Sequence, residues 1–216
     1  MNTSYPRKLA DLSLALARAP SLWWPYLRHL PVWGRQPADL SLPWFSYAAI
    51  RYLDTYLQPS HRVFEFGSGG STFYFARRAA SVTSVETHAP WHQRIVELAG
   101  QRAINNVSCE LHALGDGQLA NYRQSSFFDR VRTAQWDVIV IDCFCGFTEG
   151  RFGQLRCHAF ELSLSQVTPG GLIVLDDSWL FPDLLKARPG WEIHDYISPG
   201  PCRYGVTSTA VLRRTA

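Results

Sequence analysis

The stretch FEFGSGGSTFYFA, Phe64 to Ala76, decides how the rest of the chain is read. Gly67, Gly69 and Gly70 lie between an apolar run and a segment of helical character, and Glu65 stands just upstream of them. A glycine-rich turn from strand to helix lets the backbone close on a ligand and points helix N-terminal N–H groups at it. The dinucleotide fingerprint G-x-G-x-x-G would need glycine at position 72, where Thr72 stands, and a phosphate loop would need Lys before Ser or Thr. A carboxylate beside the loop opposes a pyrophosphate and suits a ligand with a cationic amine.

On either side of this loop, strand and helix patterns alternate. Upstream, Leu42 to Leu57 has Phe45, Ala48, Ile50, Leu53 and Leu57 at helical intervals and should end at the turn Pro59-Ser60. Arg62 to Phe66 reads as a strand, Thr72 to Ala80 as a helix, and the β-branched Ser81 to Glu86 as a second strand. Pro90 suits the first turn of a helix running through Ile95, Val96 and Leu98, and Val107 to Ala113 makes a third strand. Trp136 to Asp142 and Leu172 to Asp177 are continuous apolar runs of the kind buried on both faces of a parallel sheet, with a helix over Leu155 to Val167 between them. The strands WEIHDYI and STAVLRR, joined by SPGPCRYGVT, close the chain. Such a succession predicts an α/β, Rossmann-like, doubly wound sheet.

Composition narrows the function classes. The 216 residues are 46% hydrophobic and 18% charged, enough for a full core in one domain. A net charge of +3 without any basic run does not suggest a nucleic-acid partner. Cys109, Cys143, Cys145, Cys157 and Cys202 form no CxxC pair, so they read as reduced thiols rather than a disulfide framework or zinc ribbon. No signal-peptide pattern opens the chain and no apolar run approaches ~18 residues, which leads to the expectation of a cytoplasmic protein. Residues 1–41 read as an N-terminal helical and aromatic extension to a domain over 42–216. Within it, Leu9 to Trp33 leads into Trp23, Trp24, Tyr26 and Trp33 among Arg18, Arg28 and His29. Such a segment either packs on the domain or a second subunit, as in a homodimer, or makes a peripheral membrane contact.

In a doubly wound sheet, ligands sit at the carboxyl ends of the strands. Glu65 to Gly70, Glu86, Gly115-Asp116, Asp142 and Asp176-Asp177 all fall at or just past such ends, so they should converge on one rim. S-adenosylmethionine matches that rim. Glu65 can act on its ammonium, Gly67 to Gly70 on its methionine part, Glu86 on both ribose hydroxyls and Asp116 on the adenine amino group.

The motifs VFEFGSGGST, VTSVE, WDVIVIDCF and VTPGGLIVLDD together resemble those of class I S-adenosylmethionine-dependent methyltransferases, notably small bacterial members whose first motif ends in GSGGST. The resemblance runs from about Pro43 to Arg213. It implies a seven-stranded sheet, mostly parallel with an antiparallel last strand. It also implies donor contacts at Glu65, Phe66, Gly67, Ser68, Gly69, Ser71, Thr72, Glu86, Asp116 and Asp142.

On the acceptor side, methyl transfer requires alignment of a nucleophile and, where needed, a general base. Asp142 and Asp177 are the candidates, although Asp177 equally suits a helix cap. Catechol-type relatives hold a divalent ion with acids at these strand ends and an Asn, but Ser178 takes the place of that Asn, so no metal is expected. His88 and His92 are separated by Pro90 and read as a solvated helix start. Arg151 or Arg156 either holds an anionic acceptor or makes a surface salt bridge, with His158 on the same helix. Trp44, Phe45, Tyr47, Phe144, Phe147 and Tyr204 are candidates to shape the pocket, with Cys143 and Cys145 as lining. The expected activity is methylation of oxygen or nitrogen on a small-molecule acceptor. Its rivals are another transferase or oxidoreductase with a nucleoside cofactor, and a non-catalytic binding module.

Overall fold

The computed structural model describes residues 5–29, 35–113, 122–143 and 154–215. Its centre is a seven-stranded sheet of β1 (Arg62–Phe66), β2 (Ser81–Glu86), β3 (Val107–Leu111), β4 (Trp136–Ile141), β5 (Val167–Asp176), β6 (Trp191–Pro199) and β7 (Val206–Arg214). The order is β3-β2-β1-β4-β5-β7-β6. β1 to β5 pair in parallel, whereas β7 runs antiparallel to both β5 and β6. This is the doubly wound, mostly parallel arrangement with an antiparallel last strand that the motifs imply.

Alternation along the central strands feeds two separate cores. Phe64, Phe66, Ile139, Ile141, Ile173, Leu175 and Leu212 face one side, where they meet Phe127, Phe128 and Phe160. Val63, Val138, Val140, Leu172, Val174 and Val211 face the other, against Phe45, Leu53, Tyr74 and Phe75. Each such side chain contributes about 1.5–3 kcal/mol by leaving water, which explains why β4 reads as an unbroken apolar run.

The helices are α1 (Tyr5–Arg18), α2 (Trp23–His29), α3 (Pro37–Leu40), α4 (Tyr47–Tyr56), α5 (Gly70–Ala76), α6 (Ala89–Gln101), α7 (Ser126–Asp129) and α8 (Gln154–Gln166). Several boundaries differ from the sequence pattern. α4 starts at Tyr47 rather than Leu42 because Ser46 caps it, its hydroxyl oxygen accepting from Ala49 N at 3.3 Å. α5 stops at Ala76, so 77–80 form a turn, and β3 ends at Leu111 rather than Ala113. β5 begins at Val167, earlier than Leu172, because Val167 pairs with Trp136 across a register shift that carries the strand through Pro169-Gly170-Gly171.

The N-terminal helices pack on the sheet's β6–β7 end. Leu12, Leu22 and Tyr26 bury themselves against Tyr47. The short α3 lies on α5 and α6, where Ala38 meets Phe73, Ile95 and Leu98. Arg102 pins it, donating to Ala38 O at 2.8 Å and Ser41 Oγ at 3.0 Å. Among the described residues no helix is long and apolar enough to cross a membrane.

Candidate active site at the strand ends

A cleft of about 320 Å³ opens at the carboxyl ends of β1, β4 and β5. One wall is the loop after β1. Gly67 has φ +92°, and a Cβ there would stand 2.8 Å from Asp142 O, so the loop lies directly on the chain leaving β4. At Gly70 a Cβ would come within 1.9 Å of Leu42 O and 2.7 Å of Pro37 C. The N-terminus of α5 is therefore pressed onto α3, and Gln36 and Pro37 form part of the cleft wall. The 35–41 stretch, on sequence part of the extension, thus helps build the site.

Glu65 lies beneath the loop rather than on the cleft surface. It is fully buried, and its Oε2 accepts from Thr72 Oγ1 at 2.5 Å while Thr72 Oγ1 accepts from Gly69 N at 2.9 Å. Among the described residues, the buried Glu65 Oε1 and Ser84 Oγ have no well-formed hydrogen bond, although the Ser71 and Ser84 hydroxyls stand close enough to act on the carboxyl. Burial pushes the Glu65 carboxyl up to about 7; surrounding hydroxyls oppose that rise and the charge of Asp142 adds to it.

Glu86, at the end of β2, ties the loop to the next strand. Its Oε2 accepts from Ser68 N at 3.0 Å and Ser68 Oγ at 2.9 Å, and its Oε1 from Thr87 N at 2.7 Å and His88 N at 2.9 Å. These four donors occupy the lone-pair directions of the carboxylate. Trp91 completes this corner, donating from Nε1 to Ser68 O at 2.7 Å with its side chain on the cleft. The two nearby histidines have separate roles: His88 caps α6 by accepting from Trp91 N at 3.3 Å, and His92 Nε2 lies 3.0 Å from Cys109 O.

The opposite wall is built from charges. Arg156, from α8, is only 6% exposed and donates to Cys143 O and Asp176 O, each at 2.7 Å, and to Asp142 Oδ1 at 2.9 Å. It therefore clasps the ends of β4 and β5 together. Asp142 keeps 27% of its side chain exposed, and burial raises its pKa against the opposing pull of Arg156. Asp176 is 2% exposed, accepts from Thr209 Oγ1 at 2.9 Å, and is raised further by burial and by the charges of Asp142 and Asp177.

Asp177 adopts the left-handed region at φ 50° ahead of a 3-10 turn, yet its side chain makes no cap there. It faces Arg203 at 4.0 Å and accepts from Thr207 Oγ1 at 3.5 Å. The guanidinium of Arg203 lies 5.5 Å from the centre of the Trp44 ring, and both residues line the cleft. Ser178 turns elsewhere, donating to Asp195 Oδ1 at 2.6 Å. Among the described residues no group of three His, Cys, Asp or Glu side chains has a metal-holding arrangement.

Of the residues named from sequence, Ser68, Gly69, Gly70, Ser71, Asp142, Asp176 and Asp177 line the cleft, as do Trp44 and Arg156, whereas Gly67 and Glu86 stand behind that lining. Phe66 and Phe45 are wholly buried in the two cores, and Thr72 is buried under the loop. Tyr47 packs against the N-terminal helices, and the β6–β7 hairpin presents Arg203 to the cleft rather than Tyr204. Asp116, Phe144, Cys145, Phe147 and Arg151 lie outside the described residues. Trp91, Arg203, Gln36 and Pro37 escaped the sequence reading, and Arg156 was read as a surface or ligand arginine. A signal for Arg156 was present: Arg156, Ala159, Phe160 and Ser163 recur at helical spacing, and all four are buried.

No protein-family model matches the chain, and no curated protein matches it by sequence. Solved structures do share its fold. An O-methyltransferase from Bacillus cereus in complex with SAH superposes with a TM-score of 0.61 at 17% identity, covering 96% of this chain and 100% of that one. The O-methyltransferase TomG from Streptomyces achromogenes, in complex with SAM and involved in tomaymycin synthesis, gives 0.55 at 15% identity over 73% and 74% of the two chains. An rRNA methylase from Streptococcus thermophilus gives 0.57 at 11% identity over 78% and 95%. The chain has the Rossmann-like fold that these methyltransferases adopt.

Proposed function

We propose that the chain is an S-adenosylmethionine-dependent methyltransferase acting on oxygen or nitrogen of a small molecule. The observation that carries this reading is the meeting of the glycine loop, Trp91 and Asp142 on one cleft at the strand ends. The residues suit such a donor. Buried Glu65 keeps an oxygen without a well-formed hydrogen bond below the loop, and Glu86 stands where a carboxylate reaches a ribose. Because its lone-pair directions are filled, Glu86 accepts a ribose hydroxyl by releasing Ser68 Oγ, whose rotation costs little beside a charge-assisted bond. Ser68 to Gly70 hold the methionine part through backbone groups, and the Trp91 ring offers adenine an apolar face.

When bound, the donor supplies a methyl group on a positively charged sulfur. Asp142, a half-buried carboxylate of the charged wall, would take the proton that the acceptor loses on methylation. Arg156 fixes the orientation of that carboxylate. Asp177 holds Arg203 beside Trp44 and acts on the acceptor side. A small, uncharged acceptor suits a wall on which Asp142, Asp176 and Asp177 oppose Arg156 and Arg203. We place the protein in the cytoplasm.

The test is calorimetric titration with S-adenosylmethionine and S-adenosylhomocysteine, repeated on Glu86→Ala. Saturable one-site binding, weakened about tenfold or more by the change, is expected from the loss of a charged acceptor. Absence of binding by folded protein overturns the reading. Screening hydroxyl and amine acceptors, with RNA included, then identifies the substrate, and transfer to RNA alone overturns the small-molecule assignment.

A further inference from the structure

The outer surface of α1 and α2 is not that of an ordinary solvated helix pair. Trp23 is 50% exposed, Trp24 73% and Leu27 46%, whereas Tyr26, on the opposite side of α2, is buried against the domain. At 3.6 residues per turn, Trp23, Leu27, Trp24 and Arg28 form one continuous outward strip. The indole of Trp23 donates to Leu16 O at 2.9 Å, which lays that strip against the C-terminal half of α1, where Arg18 is exposed. Arg51 adds a further cation at the same corner, donating to Ser21 Oγ at 2.7 Å. Across residues 5–29 the charged side chains are Arg7, Lys8, Arg18 and Arg28 against a single acid, Asp11. His29 adds no charge at neutral pH, since burial and Arg28 lower its pKa.

We propose that this face rests on an anionic lipid surface. Tryptophan places an apolar ring and one polar N–H at the boundary between headgroups and acyl chains, and neighbouring arginines meet the negative headgroups. Among the described residues no helix spans a bilayer, so the contact is peripheral. A second copy of the chain fits this face poorly, because a two-fold contact would set the Arg18 and Arg28 side of the strip on the same cations of its copy.

The test is co-sedimentation of the full chain with phosphatidylcholine vesicles and with vesicles containing phosphatidylglycerol, at low and high salt. Binding to the anionic vesicles alone, lost at high salt, is expected. The double changes Trp24→Ser with Leu27→Ser and Arg18→Glu with Arg28→Glu should each weaken binding by about tenfold or more. S-adenosylhomocysteine titration of each variant serves as the folding control and should be unchanged, which separates failure here from failure of the methyltransferase reading. No sedimentation, sedimentation indifferent to lipid charge, or sedimentation unaffected by both variants overturns the proposal. A wild-type dimer that the Trp24→Ser, Leu27→Ser change splits into monomers, seen by light scattering, also overturns it and assigns the face to a second copy.

Discussion

The two walls of the cleft are held by different physics. On the loop wall, Gly67, Ser68 and Gly69 are fixed by backbone groups and short hydroxyl links to Thr72 and Glu86, residues close by in sequence or on the neighbouring strand. On the charged wall, Arg156 from α8 joins the ends of β4 and β5, and Arg203 from the β6–β7 hairpin meets Asp177. The first wall is short-range and nearly saturated with hydrogen bonds. The second is assembled over long range from partly compensated charges, and there two carboxyls, Asp142 and Asp176, are raised. A wall of the first kind suits an invariant ligand, whereas one of the second kind can be retuned by single substitutions.

The largest expected effect breaks the charged wall. Arg156→Ala removes the bonds it donates to Asp142, Cys143 O and Asp176 O, and removing one partner of a buried ion pair costs about 3–5 kcal/mol. Chemical denaturation measures this. With Arg156→Lys, which keeps the charge but not the fork, the acid limb of the transfer rate should move to higher pH, because Asp142 keeps a cation but loses the geometry that opposes its protonation.

Glu65 tests the loop wall. Its folded pKa of about 7 lies above the 4.5 of an unperturbed glutamate, so the folded state holds the proton more tightly than the unfolded chain. Stability from this group is fully present below the unfolded value and is lost as pH rises through about 7. Glu65→Gln removes that dependence. At pH 8 the variant should exceed the wild type by on the order of 3 kcal/mol, and below pH 4 the difference should vanish. A parallel pH dependence in both proteins would mean that Glu65 stays ionised in the fold.

Gly70→Ala follows, since its Cβ meets backbone at Leu42 and Pro37 that cannot rotate away. Overpacking of this kind costs about 1–3 kcal/mol. The change should weaken S-adenosylhomocysteine binding as α3 and α5 separate.

The contrast between the walls also explains what could be read from sequence. β4 and the Leu172–Leu175 part of β5 are apolar runs buried on both faces, and strand patterns alternate with helical ones along the chain, so the doubly wound sheet was legible from sequence. The acids at strand ends were legible for the same reason: Glu86 closes β2, Asp142 follows β4 and Asp176 closes β5. The start of α4 was not, because it is set by the Ser46 cap against an apolar periodicity that continues upstream, whereas Pro90 marked the start of α6 correctly. Arg156 and Arg203 have hydrogen-bond and ion-pair partners 13 to 26 residues away on other elements, and Arg203 meets Trp44 from much further along the chain, so local spacing says nothing about which strand ends meet. Gly70 was visible as a turn glycine, but its close approach to Pro37 and Leu42 depends on how α3 docks.

Arg203 gives the smallest effect and the sharpest division between the walls. Its ion pair with Asp177 spans 4.0 Å and its side chain is 23% exposed, so Arg203→Ala should cost under about 1 kcal/mol of stability. On the proposed reading the loop wall holds the donor without it, so S-adenosylhomocysteine affinity should stay the same. Once an acceptor is known, its KM should rise, because the guanidinium lies beside the Trp44 ring on the wall proposed to face the acceptor. A fall in donor affinity would mean that the hairpin belongs to the donor site, and the two walls would then act as one.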